Sequence, residues 1–219
     1  MHHHHTSSPR RLRGGRWYVA LALGLLGSTA CLSGGCESAP RTRAIEVDTQ
    51  TPETLLASLK AAARISLNGY YDALRQATDC EALPEFCRLL EARREAAMEM
   101  VRLRNTMVER YGEEGRVAAG EMLRAAFLDQ FDEVERATVF VGSGEAAVMR
   151  IGTSVYRLRR RDGAWRIVQF PDPPYDPTVS ADAIELLVER VEAIRQDVIA
   201  GRVPSMAELD VRIAAALGG

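Results

Sequence analysis

The amino-acid sequence predicts an α+β protein: N-terminal helices packed on a curved four-stranded antiparallel meander, followed by a C-terminal helical hairpin. Three observations carry this expectation. Apolar residues recur at three- and four-residue steps from Leu55 to Phe127. Between Thr138 and Phe170 the period drops to two, and each short connection contains glycine. Beyond a segment with four prolines, Pro171 to Pro177, the helical period returns.

Taken in order, residues 37–50 form a polar tether, and Thr51-Pro52-Glu53 opens the first helix. Thr51 serves as N-cap, proline fills the first helical position and an acid lies in the first turn. Leu55, Leu56, Leu59, Ala63, Leu67, Tyr70, Tyr71 and Leu74 form one apolar stripe. A second helix runs from Leu83 or Pro84 to Tyr111, burying Phe86, Leu89, Leu90, Ala97, Met100, Val101, Leu103 and Met107. Gly112 ends it, and a third helix from Glu113 to Gln130 carries Val117, Met122, Leu123, Ala126 and Phe127.

Four strands follow, at Thr138–Val141, Glu145–Ile151, Ser154–Arg160 and Ala164–Phe170. Gly142-Ser143-Gly144, Gly152-Thr153 and Arg161-Asp162-Gly163 join them, and Asp162-Gly163 is the strongest hairpin signal. Tyr156 and Leu158 face one side and Arg157 and Arg159 the other, as do Trp165 and Ile167 against Arg166 and Val168, so one sheet face is buried. Residues 171–177 form a linker. Residues 178–219 form the helical hairpin: Ala181 to Ala200 with Ile184, Leu187, Val191, Ile194 and Val198 inward, then Gly201. A capping box, Ser205-Met206-Ala207-Glu208, opens the last helix, which runs to Leu217.

Residues 1–36 read as an export signal. Arg10, Arg11, Arg13 and Arg16 form a cationic segment, Trp17 to Leu26 an uncharged apolar run, and Gly27 to Gly35 a stretch of small residues. The apolar run falls short of the ~20 residues a spanning helix requires. Leu32-Ser33-Gly34-Gly35-Cys36 resembles a bacterial lipobox, although leucine lies four rather than three residues before the cysteine. Cys36 is therefore the expected lipidation site, with Cys31 the alternative. Ser28-Thr29-Ala30 also suits ordinary signal peptidase. A lipid on Cys36 places the chain on a membrane, facing the periplasm or the cell exterior.

Cys80 and Cys87 agree with export. A metal site would need two further ligands, and no other cysteine or histidine is available, so a disulfide closing this short loop is expected. All four histidines lie at positions 2–5. Histidine-based nucleophilic triads and histidine zinc sites are thereby excluded from the body of the chain, and no metal or cofactor is expected. The leader holds four of the 28 basic residues and none of the 30 acids; 24 against 30 leaves a mature net charge of −6. That balance argues against nonspecific nucleic-acid binding.

Tyr156-Arg157-Leu158, followed by Asp162-Gly163-Ala164-Trp165-Arg166-Ile167, resembles the closing hairpin of NTF2-like proteins. Thr51-Pro52-Glu53-Thr54-Leu55-Leu56 resembles the opening of exported members. The resemblance covers residues 51–170. The sequence departs from that plan in showing no strand between the early helices and the sheet, and in adding the C-terminal hairpin. Enzymes of the superfamily place an Asp, His, Tyr or Arg inward for acid–base work. Without histidine, the resemblance leaves Asp72 with Tyr156, or Asp129 or Asp132, for an isomerase, dehydratase or hydrolase.

Tyr70, Tyr71, Phe127, Phe140, Met149, Tyr156 and Trp165 either line a pocket for a small apolar ligand or simply fill the core. Arg157, Arg159, Arg160 and Arg161, joined by Arg150 and Arg166, form either a solvated face or a site for an anionic partner. Such a partner is a phospholipid headgroup, a cell-wall polymer or an acidic envelope protein. The functional expectation is a non-catalytic binding or interaction module of the cell envelope, with the small enzyme as alternative. The N-terminal peptide recovered from the membrane fraction should begin at Cys36 and carry acyl mass. An unmodified terminus near Cys31 would remove the lipid anchor.

Overall fold

The computed structural model describes residues 45–172 and 180–217; within these, the side chains at 122–130, 170, 172 and 217 are not described. Cys31 and Cys36 lie outside the described residues, as do most of the tether and of the Pro171–Pro177 linker. The architecture is α+β. Helices α1 (Pro52–Ile65), α2 (Leu67–Gln76) and α3 (Pro84–Glu135) precede strands β1 (Thr138–Val141), β2 (Ala146–Ile151), β3 (Ser154–Arg161) and β4 (Ala164–Asp172). Helices α4 (Ala181–Ile199) and α5 (Met206–Leu217) close the chain. The strands form one antiparallel meander in the order β1-β2-β3-β4. No described helix is long and apolar enough to cross a membrane.

The first helical stripe is two helices rather than one. Ser66 adopts an extended conformation (φ −170°, ψ 159°) and caps α2 by accepting a hydrogen bond from Gly69 N at 3.1 Å. Its hydroxyl competes with continued helix in the way serine does at N-caps. At the start of α1, Thr51 and Thr54 form a reciprocal capping box, so Thr54 also takes part.

The expected second and third helices are two limbs of α3, which bends at Gly112 (φ 59°, ψ −127°), a conformation glycine reaches without a Cβ penalty. The second limb continues to Glu135 rather than ending at Gln130. A Cβ on Gly115 would lie 2.2 Å from the Met107 carbonyl oxygen, so the bend brings backbone onto backbone. The change of direction turns Val117 outward, 49% exposed, and places Ala119 in the core instead.

The strands begin and end close to where alternation puts them, with β4 extended through Pro171 and Asp172. Proline is tolerated there because β4 ends the strand order. On β2 and β3, Ala147, Met149, Ile151, Tyr156 and Leu158 are buried, while Ala146, Val148, Arg150, Arg157 and Arg159 are exposed. Two helices of the N-terminal part and the long helix meet in one core with these residues, including Leu55, Leu59, Tyr70, Leu74, Phe86, Leu90 and Leu103.

The lateral groups of β4 do not face water. Trp165 N donates to Thr49 O (2.8 Å), Ile167 N to Ala77 O (2.8 Å), and Asp79 N to Ile167 O (2.9 Å). Thr78 thereby pairs with Ile167 in parallel. A bridge residue between the early helices and the sheet therefore exists, although the sequence shows no strand there. Directly after it, Cys80 and Cys87 are joined as the expected disulfide, their Cα atoms 5.7 Å apart.

Helix ends are secured by charge. Lys60 Nζ donates to the Glu135 carbonyl at 2.8 Å, and Arg64 grips the Glu135 carboxylate with two bonds of 2.7 and 2.8 Å. The Arg64 hydrogen bonds hold the Glu135 carboxyl below its ordinary range. A cation on a C-terminal carbonyl also complements the dipole of α3.

The C-terminal hairpin rests on α3 through Val191, Ile194 and Val198, and through an ion pair. Glu99 is 2% exposed and accepts from Arg195 of α4 and from Arg102 at 3.0 Å. Tyr111 Oη adds a 2.8 Å bond to the Val203 carbonyl. Glu99→Ala leaves the Arg195 guanidinium without its buried counter-ion and should cost about 3–5 kcal/mol in chemical denaturation. Replacing Glu99 and Arg195 together by leucine should cost far less, since removing both charges leaves neither one unpaired.

Candidate functional site

The outward face of the sheet is built by simple register. Phe140 stands opposite Val148, Val148 opposite Arg157, and Arg157 opposite Gln169, making one row across all four strands. Beside it, Ala146, Arg159 and Arg166 form a second row, and Thr138 and Arg150 lie on the other side. Phe140 is 64% exposed and Val148 37%. A shallow groove of about 490 Å³ runs over this face, lined by Phe140, Val148, Val168, Arg157, Arg159 and Arg161 among others.

The arginines divide into two groups. Arg161 pairs with Asp79, and Arg166 donates to the Gln76 carbonyl at the C-terminus of α2. Arg161 from the end of β3 and Arg166 from β4 itself tie the sheet to the end of α2 and the α2–α3 connection, so they are structural. Arg159 stands directly across from Arg166, a like-charge pairing that is unfavourable on a sheet surface. The bond from Arg166 to Gln76 draws that guanidinium toward an acceptor. Arg150, Arg157 and Arg159 make no ion pair or side-chain hydrogen bond with another described residue. Arg157 and Arg159 are about 7 Å apart along β3, and Arg150 lies diagonally from Arg157, at about 7–8 Å.

Arg160 is not part of this face. It stands opposite Trp165, on the side of Tyr156 and Leu158, at an exposed end of the strand. Alternation from Tyr156 places it there, so the signal was available in the strand itself.

The seven aromatic and apolar residues expected around a pocket are dispersed. Tyr70, Tyr71, Met149, Tyr156 and Trp165 are buried in the common core, with Tyr70 and Tyr71 ring centroids 5.6 Å apart. Phe140 lies on the opposite face of the sheet, and the Phe127 side chain is outside the described residues. Filling a close-packed core accounts for the first five.

Asp72 is half-buried on α2, and its carboxylate accepts a hydrogen bond from Gln76 Nε2 at 3.1 Å. Tyr156 is 1% exposed. Neither lines the groove. Asp132 is exposed, and the Asp129 side chain is outside the described residues. The functional feature that pattern reading missed is the mixture of Phe140 and Val148 with the arginines. It is legible only once register puts three strands side by side. Among the described residues no three His, Cys, Asp or Glu side chains group as a metal site.

The chain matches no protein-family model, no curated protein and no solved structure.

Proposed function

We propose that this chain is an exported, lipid-anchored, NTF2-like interaction module of the cell envelope, which holds an acidic protein surface on the outward face of its sheet. The observation that carries the reading is an imbalance of pairing. Among the described residues ten arginines find a carboxylate within 4.0 Å; of those that do not, Arg150, Arg157 and Arg159 stand side by side on the outward sheet face. The mature chain carries a net acidic charge, so a cluster of uncompensated cations is a local exception. Guanidinium groups in such a cluster match carboxylates in paired geometry and are more weakly hydrated than ammonium groups.

Phe140, Val148 and Val168 add apolar surface within the same groove. A partner that offers carboxylates flanking an apolar side chain would satisfy both parts, and steering by the cluster would raise its rate of encounter. The resemblance of the hairpin from Tyr156 to Ile167, and the lipobox-like end at Cys36, support the family and the anchor. Asp72 and Tyr156 gain no support as a catalytic pair, because neither opens on the groove.

Polyglutamate serves as a probe of the acidic surface. Binding of the full chain should fall by roughly tenfold or more in the double variant Arg157→Ala, Arg159→Ala, and should weaken steeply with added salt. Equal binding by the double variant would remove the outward face from the reading. Binding to anionic vesicles in place of polyglutamate would make a membrane headgroup the partner.

A further inference from the structure

The two lateral edges of the sheet are treated differently by the fold. The β4 edge is occupied by Thr49, Ala77 and Asp79. The β1 edge is not occupied by any described backbone group. Gly142 N donates to Ala146 O at 2.9 Å, which fixes the alternation of the β1–β2 ladder. Phe140 therefore directs its N–H and C=O toward Val148, while Val139 and Val141 direct theirs away from the sheet.

Edges of this kind usually carry a charge, a proline or a bulge that prevents pairing. Residues 137–144, Ala-Thr-Val-Phe-Val-Gly-Ser-Gly, hold none of these. Phe140 and Val141, 64% and 52% exposed, make the edge apolar as well as open.

We infer that β1 pairs with β1 of a second copy of this chain, joining two sheets into one of eight strands. With the two-fold axis at Phe140, Val139 of each copy faces Val141 of the other, and four main-chain hydrogen bonds form. An isologous antiparallel contact of this kind uses the same four groups on both sides and leaves none over. The two Phe140 residues become a directly opposed pair on the outward face, their Cα atoms about 4.5 Å apart. Such aromatic cross-strand pairs favour pairing.

Charge is compatible throughout. The outward row becomes Gln169, Arg157, Val148, Phe140 and the same residues in reverse, so the two Arg157 lie about five strand spacings, or ~24 Å, apart. An acidic partner has nothing charged to recognise on the edge itself, whereas the same edge of a second copy, uncharged from Ala137 to Gly144, meets it without local repulsion. Two short strands meeting edge to edge make a small contact, so pairing depends on local concentration. The inference stands apart from the anionic partner, since it needs no arginine.

Phe140→Cys tests it in the full chain, in whichever cell fraction holds the protein. Opposed positions at ~4.5 Å lie within disulfide reach. Mild oxidation should give the tryptic peptide Ala137–Arg150 disulfide-linked to itself. Val148→Cys, in the same peptide and on the same face, lies ~14 Å from its copy and should give roughly tenfold less. Adding Val139→Pro removes an edge donor unused within the chain and should lower the Phe140→Cys yield. Equal yields at 140 and 148, no linked peptide at 140, or a yield unaffected by Val139→Pro would each overturn the pairing.

Discussion

The seam along β4 is the constraint on which the rest of the molecule depends. A strand lying against a helical layer cannot leave its N–H and C=O groups buried and unpaired without a cost of about 1–3 kcal/mol each. Thr49, Ala77 and Asp79 meet that requirement from outside the sheet, and Thr78 becomes a bridge residue between helix and strand. Arg161 and Arg166 extend the seam with side chains that reach Asp79 and the Gln76 carbonyl. The Cys80–Cys87 disulfide sits directly beyond it and closes the turn into α3. On the chain-entropy model so short a loop contributes ~2–3 kcal/mol.

Closing one edge determines what remains open. With β4 occupied and the inner face covered by the core, the parts of the sheet left to meet other molecules are the β1 edge and the outward face. Those are also the places where Phe140, Val141 and Val148 are exposed and where Arg150, Arg157 and Arg159 lack carboxylates. The long helix plays a complementary part. Its first limb supports α2 on one side and α4 on the other, and Glu99 sets the position of α4 through a buried charge that must be answered. Buried pairs of this kind are costly when half-removed, so they select one arrangement of the hairpin against its neighbours.

Much of this was legible in the sequence, for reasons that differ by element. The strands carry alternation and the glycines of their turns, both local signals, and their limits emerged within a residue or two. Thr51, Ser205 and the Cys80–Cys87 spacing are also local. The break at Ser66 was concealed by the apolar stripe, which continues at helical spacing from Ala63 to Leu67 and Tyr70. Gly112 marked a discontinuity, yet nothing in the sequence shows that the second limb turns Val117 outward. The candidate site was the least legible part. Which arginines are free depends on Asp79 and on the Gln76 carbonyl, more than eighty residues away in sequence. Phe140 parted from the other aromatic residues because strand parity, and not residue type, decides which face a side chain takes.

The seam is tested most directly by amide hydrogen exchange at Trp165 and Ile167 in the full chain. Exchange as slow as at Leu158, in the middle of the sheet, is the predicted result, because both amides donate to main-chain carbonyls across the β4 edge. Exchange at Trp165 and Ile167 as fast as at an open strand edge would contradict it, and the helical and sheet parts would then have to be held together by side chains alone.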